Sequence, residues 1–187
     1  MERLQRASIL LKLNEELRKS GSWAGETHMQ KTAFFLQDLF EVPLGFEFVL
    51  YKHGPFSFDL RDELTFMRAQ GFLQLEPQYP YGPSLISGAK GELLSTAFRQ
   101  AVEQYTAVIR FVALKLGVKT VAELERTGTA LYIRLREPRV PDIAQRLTAL
   151  KPHIALPDAR AAASEVEQII GEYEGAFPRR APRLRLA

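Results

Sequence analysis

The chain has 187 residues, 46% of them hydrophobic and 25% charged, enough for one ordinary core and too short for two independent ones. It contains no cysteine and only three histidines, so disulfides, thiolate chemistry and zinc fingers are excluded, and a metal site would have to lean on carboxylates. The formal charge of +3 sits at the end: Pro178 to Ala187 carry Arg179, Arg180, Arg183 and Arg185 without an acid, while residues 1–177 hold 21 basic and 22 acidic groups, a net of −1.

In chain order, Leu4, Ala7, Leu10 or Leu11, Leu13 or Asn14 and Leu17 form one helical stripe over residues 2–19, ending in a basic turn and a stop at Gly21. Residues 27–40 place Met29, Ala33, Leu36 and Phe40 on one face with Phe35 and Leu39 beside it, a stripe broad enough for a central helix. Pro43 and Gly45 break this pattern, and Phe46, Phe48 and Leu50 then alternate with Glu47, Val49 and Tyr51 as in a short strand. After His53-Gly54-Pro55, Ser57 or Asp59 caps a helix through Leu60, Leu64 and Met67 that stops at Gly71. Leu73 and Leu75 face Leu85-Ile86 across a long loop containing Tyr79 and Tyr81, a β-hairpin pattern.

The second half is helical. Leu94, Phe98, Ala101, Tyr105, Val108, Val112 and Leu116 predict one helix of about six turns. Thr120 and Glu123 form a capping box for the next. Pro141 and Pro157 stand at first-turn positions of two more. The fold class expected is mainly α with a small β-hairpin, a winged-helix-like N-terminal half followed by a C-terminal helical bundle. Residues 1–177 read as a single compact domain, winged-helix-like over about 22–95 and helical over about 96–177. Leu36, Phe40, Phe48, Leu64, Phe98, Val112 and Leu131 are its expected core. Residues 178–187 form a basic tail with too little apolar content to order itself, left to disorder or to docking on a partner. No apolar run approaches the ~20 residues of a membrane span, and Met1 to Arg6 lead into no signal-peptide core, so a cytoplasmic protein without membrane contact is expected.

Four segments in order carry a resemblance: Met29-Gln30-Lys31-Thr32-Ala33-Phe34-Phe35-Leu36-Gln37 with Phe46-Glu47-Phe48, Tyr51-Lys52-His53-Gly54-Pro55-Phe56-Ser57, Thr129-Ala130-Leu131-Tyr132-Ile133, and Leu150-Lys151-Pro152-His153. Over residues 22–160 the chain resembles the Panacea superfamily, which contains the SocA-like antitoxins, and is most similar to its YwgA-like branch. The resemblance implies winged-helix-like elements and a role as an antitoxin, a proteolytic adaptor or an accessory of mobile-element and defence loci.

The expected function is a non-enzymatic protein-interaction module that binds a partner protein, a toxin or a protease component, and neutralises or delivers it. No cofactor is expected. Glu26, His28 and His53 are candidates for a metal or acid–base site, but the two histidines lack a ligand-spacing motif and read as surface or capping groups. Lys31 and Gln37 fall on different helix faces. The partner face is expected at Tyr51, His53, Phe56, Tyr79 and Tyr81, because tyrosine gives large contact area at low entropic cost. The alternative is a winged-helix nucleic-acid-binding regulator using Arg179, Arg180, Arg183 and Arg185 with a basic helix bearing Arg126, Arg134 and Arg136. Against it, residues 59–70 hold Asp59, Asp62 and Glu63 against Arg61 and Arg68, a net of −1 where a reading head needs positive charge.

Overall fold

The computed structural model describes residues 1–77 and 82–178. Tyr79, Tyr81 and the four tail arginines lie outside the described residues. Eight α-helices and two antiparallel two-stranded sheets are present among those described: α1 (Arg3–Lys19), α2 (Glu26–Phe34), β1 (Val49–Tyr51), β2 (Gly54–Phe56), α3 (Phe58–Ala69), β3 (Leu73–Glu76), β4 (Ser84–Ser87), α4 (Gly91–Ala97), α5 (Arg99–Leu116), α6 (Val121–Arg136), α7 (Ile143–Leu150) and α8 (Leu156–Ala176). None of these helices is long and apolar enough to cross a membrane. The described residues gather into two compact units, those of 1–49 with 56–119, and those of 50–55 with 120–178.

In the first unit α1 packs on α2, α4, α5 and β4, and α2 packs on α5 and α3. The centre is apolar: Leu10, Leu13, Leu17, Met29, Ala33, Phe34 and Leu36 are fully buried. The broad stripe of α2 has a local cause. Its last turn widens into a π-turn over Phe35–Leu39, with Phe40 N–H donating to the Phe35 carbonyl, which turns Phe35, Leu36 and Leu39 all inward. From Val42 to Val49 burial then alternates residue by residue, with Phe46 and Phe48 inside as expected.

Two glutamines fix the extended segments beside this helix. The Gln30 amide donates to the Ser57 carbonyl and accepts the Ser57 N–H, both at 2.9 Å. The Gln37 amide makes the same pair of bonds with Phe46, both at 2.7 Å. Each side chain thus replaces one residue of a β-ladder and satisfies both backbone groups of the residue it holds. Ser57 in turn caps α3 through Leu60 N–H. The hairpin pairs Leu73 with Ser87 and Leu75 with Leu85.

The single helix expected over residues 94–116 is interrupted. At Phe98 the backbone leaves helical geometry (φ −116°, ψ 24°), separating α4 from α5, so five helices follow the hairpin where four were expected. The break also removes Phe98 from the expected core: its ring is half-buried, while Leu36, Phe40, Phe48, Leu64, Val112 and Leu131 are buried. Pro141 stands ahead of the Asp142 cap of α7 and outside the helix, whereas Pro157 lies in the first turn of α8 as expected. In the second unit α6, α7 and α8 pack pairwise, and the Thr120–Glu123 capping box opens α6.

Candidate functional site

Within the second unit the hairpin turn 50–55 lies against α6, and the contact depends on glycine. Gly54 has φ +82°, and a Cβ there would stand 3.1 Å from both the Glu125 carbonyl oxygen and Thr129 Oγ1. Any side chain would therefore meet both backbone strain and the helix. On α6, the short buried Thr129 side chain and the Glu125 backbone are what face Gly54, which lets the turn approach closely.

Beside this contact stands Glu125, only 6% exposed. Its Oε2 lies 3.3 Å from His53 Nδ1 of the turn, and its Oε1 lies 3.2 Å from His153 Nε2 and 3.5 Å from Lys151 Nζ, both from the α7–α8 connection. Lys151 is buried as well and donates to the Tyr51 carbonyl at 2.6 Å and to the Lys52 carbonyl. Its ammonium does two things: it balances the buried carboxylate and pins the two carbonyls of the turn. Glu125 Oε1 itself makes no hydrogen bond, and neither does Thr129 Oγ1. The imidazoles, by contrast, face outward, with 66% of the His53 side chain and 61% of His153 exposed.

Three of the four segments that carry the resemblance meet here. His53 comes from the second of them, Tyr51–Ser57, Thr129 from the third and Lys151 with His153 from the fourth. Of the residues expected to face a partner, Tyr51 is 48% exposed and His53 is exposed beside it. Phe56 belongs to the first unit, half-buried, its ring 5.1 Å from that of Phe58. Sequence reasoning missed Glu125, and gave Lys151 and His153 no role. The signal available was Glu125 with Gly128 and Thr129 at helical spacings of three and four, a carboxylate on a face otherwise made for close approach.

The other motif residues have structural duties. His28 is buried in the first unit, its Nε2 3.0 Å from the Lys119 carbonyl, and burial pushes its pKa down, against a smaller upward pull from that bond. It is therefore a core histidine, where a surface or capping group was expected. Lys31 is also buried. The α6 arginines are engaged: Arg126 lies 3.7 Å from Asp158 and Arg134 2.8 Å from Glu167, while the Arg136 guanidinium sits 5.8 Å from the centre of the Tyr132 ring. Where α4 breaks from α5, a cleft of about 230 Å³ opens beside Ser95, Thr96 and Arg99, but Lys12 on its wall is already held by Glu16 at 2.8 Å. No group of three metal-ligating side chains stands in a metal-holding arrangement among the described residues. No family model matches the chain, and no curated protein sequence matches it.

Proposed function

We propose that the protein is a non-enzymatic interaction module of the cytoplasm, resembling Panacea-type antitoxins of the YwgA-like branch, that binds a partner protein through the Gly54-Pro55 turn and neutralises or delivers it. Its winged-helix-like elements, α2, α3 and the β3–β4 hairpin, serve in this reading as a frame for protein contact. One observation carries the proposal: Tyr51 and His53 are exposed on a turn that a buried lysine, a buried glutamate and a glycine contact hold in place. A rigid turn presenting an aromatic ring loses little entropy on binding, which is how anchor residues come to dominate protein interfaces.

The nucleic-acid alternative draws less support. Two of the three arginines on α6 already have acidic partners, and the carboxylate of Glu63 on α3 is buried against Arg3 and Arg6. The test is affinity capture of partners from the native cytoplasm. Tyr51→Ala combined with His53→Ala should cut recovery of a specific partner at least tenfold, since an anchor is worth ~2 kcal/mol or more, while leaving the melting temperature unchanged. Capture that survives these changes but disappears when Arg179, Arg180, Arg183 and Arg185 are replaced, with a steep salt dependence, would transfer the function to the nucleic-acid reading.

A further inference from the structure

The surface over Glu125 has an unusual charge arrangement. The residues exposed on the turn and on the α7–α8 connection are Tyr51, Lys52, His53, Pro152, His153 and Ala155, with no acid among them. The next acid along the chain, Asp158, lies 3.7 Å from Arg126. The acid that belongs to the cluster is Glu125, sunk beneath it, and the Lys151 ammonium 3.5 Å away already offsets its charge. Protonation of the two imidazoles therefore leaves two positive charges facing solvent over a carboxylate whose charge is already matched, with Lys52 exposed on the same turn.

The hydrogen-bonding inventory points the same way. Each imidazole turns one nitrogen to Glu125, Nδ1 from His53 and Nε2 from His153, which leaves His53 Nε2 and His153 Nδ1. A protonated imidazole donates from both nitrogens, so the second can serve an external acceptor only in the charged form. A neutral His53 ring whose Nδ1–H bonds Glu125 Oε2 presents a lone pair outward, which repels a carboxylate, and His153 Nε2 lies near Oε1 without a hydrogen bond. The groups that set this balance are Glu125 on α6, Lys52 and His53 on the turn, and Lys151 and His153 on the connection.

We propose that His53, His153 and Lys52 form a docking point for the carboxylate side chains of an acidic segment of the partner protein, engaged when the imidazoles are protonated and released as they lose their protons. The proposal rests on the reading of the Gly-Pro turn as the partner face and names the chemistry of what binds there. Charge complementarity selects the occupant: two imidazolium groups over one shared buried carboxylate, with Lys52 exposed on the same turn, suit a short acidic peptide. They are too few and too compact to track a phosphate backbone, whose binding is built from many contacts along the strand.

The probe is hexaglutamate titrated into the full chain, followed by NMR of the histidine side chains. At about pH 6 the peptide should shift the His53 and His153 signals, and its Kd should weaken about tenfold by about pH 8, across the range where imidazoles lose their charge. Substituting both, His53→Ala with His153→Ala, should abolish binding; removal of residues 179–187 should leave it unchanged. Both rings are largely exposed, so an unaltered melting temperature verifies that the double variant is folded. Unmoved histidine signals, equal affinity at the two pH values, or binding that survives loss of both histidines each overturns the proposal. A thymidine hexanucleotide binding these residues more tightly than the peptide overturns it as well, in favour of phosphate. A partner captured through Tyr51 while hexaglutamate fails leaves the interaction module standing without its acidic ligand. Hexaglutamate bound here while capture ignores Tyr51 and His53 removes the module and keeps the anion site.

Discussion

Two buried glutamates, one in each unit, are neutralised in opposite ways. Glu63 in the first unit, 4% exposed, receives Arg3 Nε at 3.0 Å and lies 3.6 Å from Arg6 Nη2. Both guanidinium groups also stack on rings, Arg3 at 3.5 Å from the Phe66 centre and Arg6 at 5.0 Å from that of Phe46. These partners stay charged at any pH the protein meets. Glu125 in the second unit is buried to the same degree but is faced by one lysine and two exposed imidazoles. The first arrangement is a fixed fastening between helices; the second has a charge state that follows the pH. Burial alone does not mark a functional carboxylate, and the titration behaviour and exposure of its partners do.

The largest effect should come from the fixed fastening. Glu63→Gln removes the charge while keeping the shape, leaving Arg6, which is only 23% exposed, without its anion. A loss of ~2 kcal/mol is expected, because hydrogen bonds to charged groups and half-broken buried pairs are costly. Chemical denaturation should give the same loss at about pH 6 and about pH 8. A cost that changed strongly with pH would erase the contrast between the two sites.

Glu125→Gln should behave differently. Near pH 8 the substitution disturbs only the lysine, which keeps its bonds to the Tyr51 and Lys52 carbonyls. Near pH 6 it also takes an anion from two charged imidazoles, and the cost should rise by about 0.5–1 kcal/mol, the ordinary worth of exposed pairs. Denaturation of the variant and the parent chain at the two pH values measures this difference. A cost independent of pH would mean that neither imidazole is coupled to Glu125, and would undercut the proton-linked docking as well.

Much of this architecture was legible because it is local. The α1 stripe, the Ser57 cap, the glycine stops at Gly21 and Gly71 and the Thr120–Glu123 box are set by residues within one or two turns, and each appears where the spacing put it. The break at Phe98 was not legible, since the apolar period runs through it and the interruption leaves no proline or glycine as a mark. Gly54 and Pro55 were readable as a turn, yet the reason no side chain fits at Gly54, its contact with Glu125 and Thr129, joins residues more than seventy positions apart. The same distance hid the site: His53, Glu125 and His153 are each ordinary in their own segment and become a cluster only when α6 is packed against the turn. The two glutamine clamps show the converse case. Gln30 and Gln37 lie within a motif that invited a functional reading, and their role is to hold extended backbone beside a helix.

The smallest effect concerns the third histidine and separates a buried imidazole from two exposed ones. Burial lowers the pKa of His28 from its ordinary value of 6.5, and the Lys119 carbonyl only partly restores it. The unfolded chain therefore takes up a proton more readily than the folded one as pH falls through the mid-sixes, and folding loses stability there; above that range both states are neutral and His28 contributes no slope. His28→Gln keeps a donor for the Lys119 carbonyl and removes the titration. The variant should show a flatter dependence of stability on pH below about 6.5 than the parent chain, with little difference near pH 8. If the variant and the parent chain depend on pH alike below about 6.5, His28 is not buried as the Lys119 contact requires, and the division into one core histidine and two exposed ones fails.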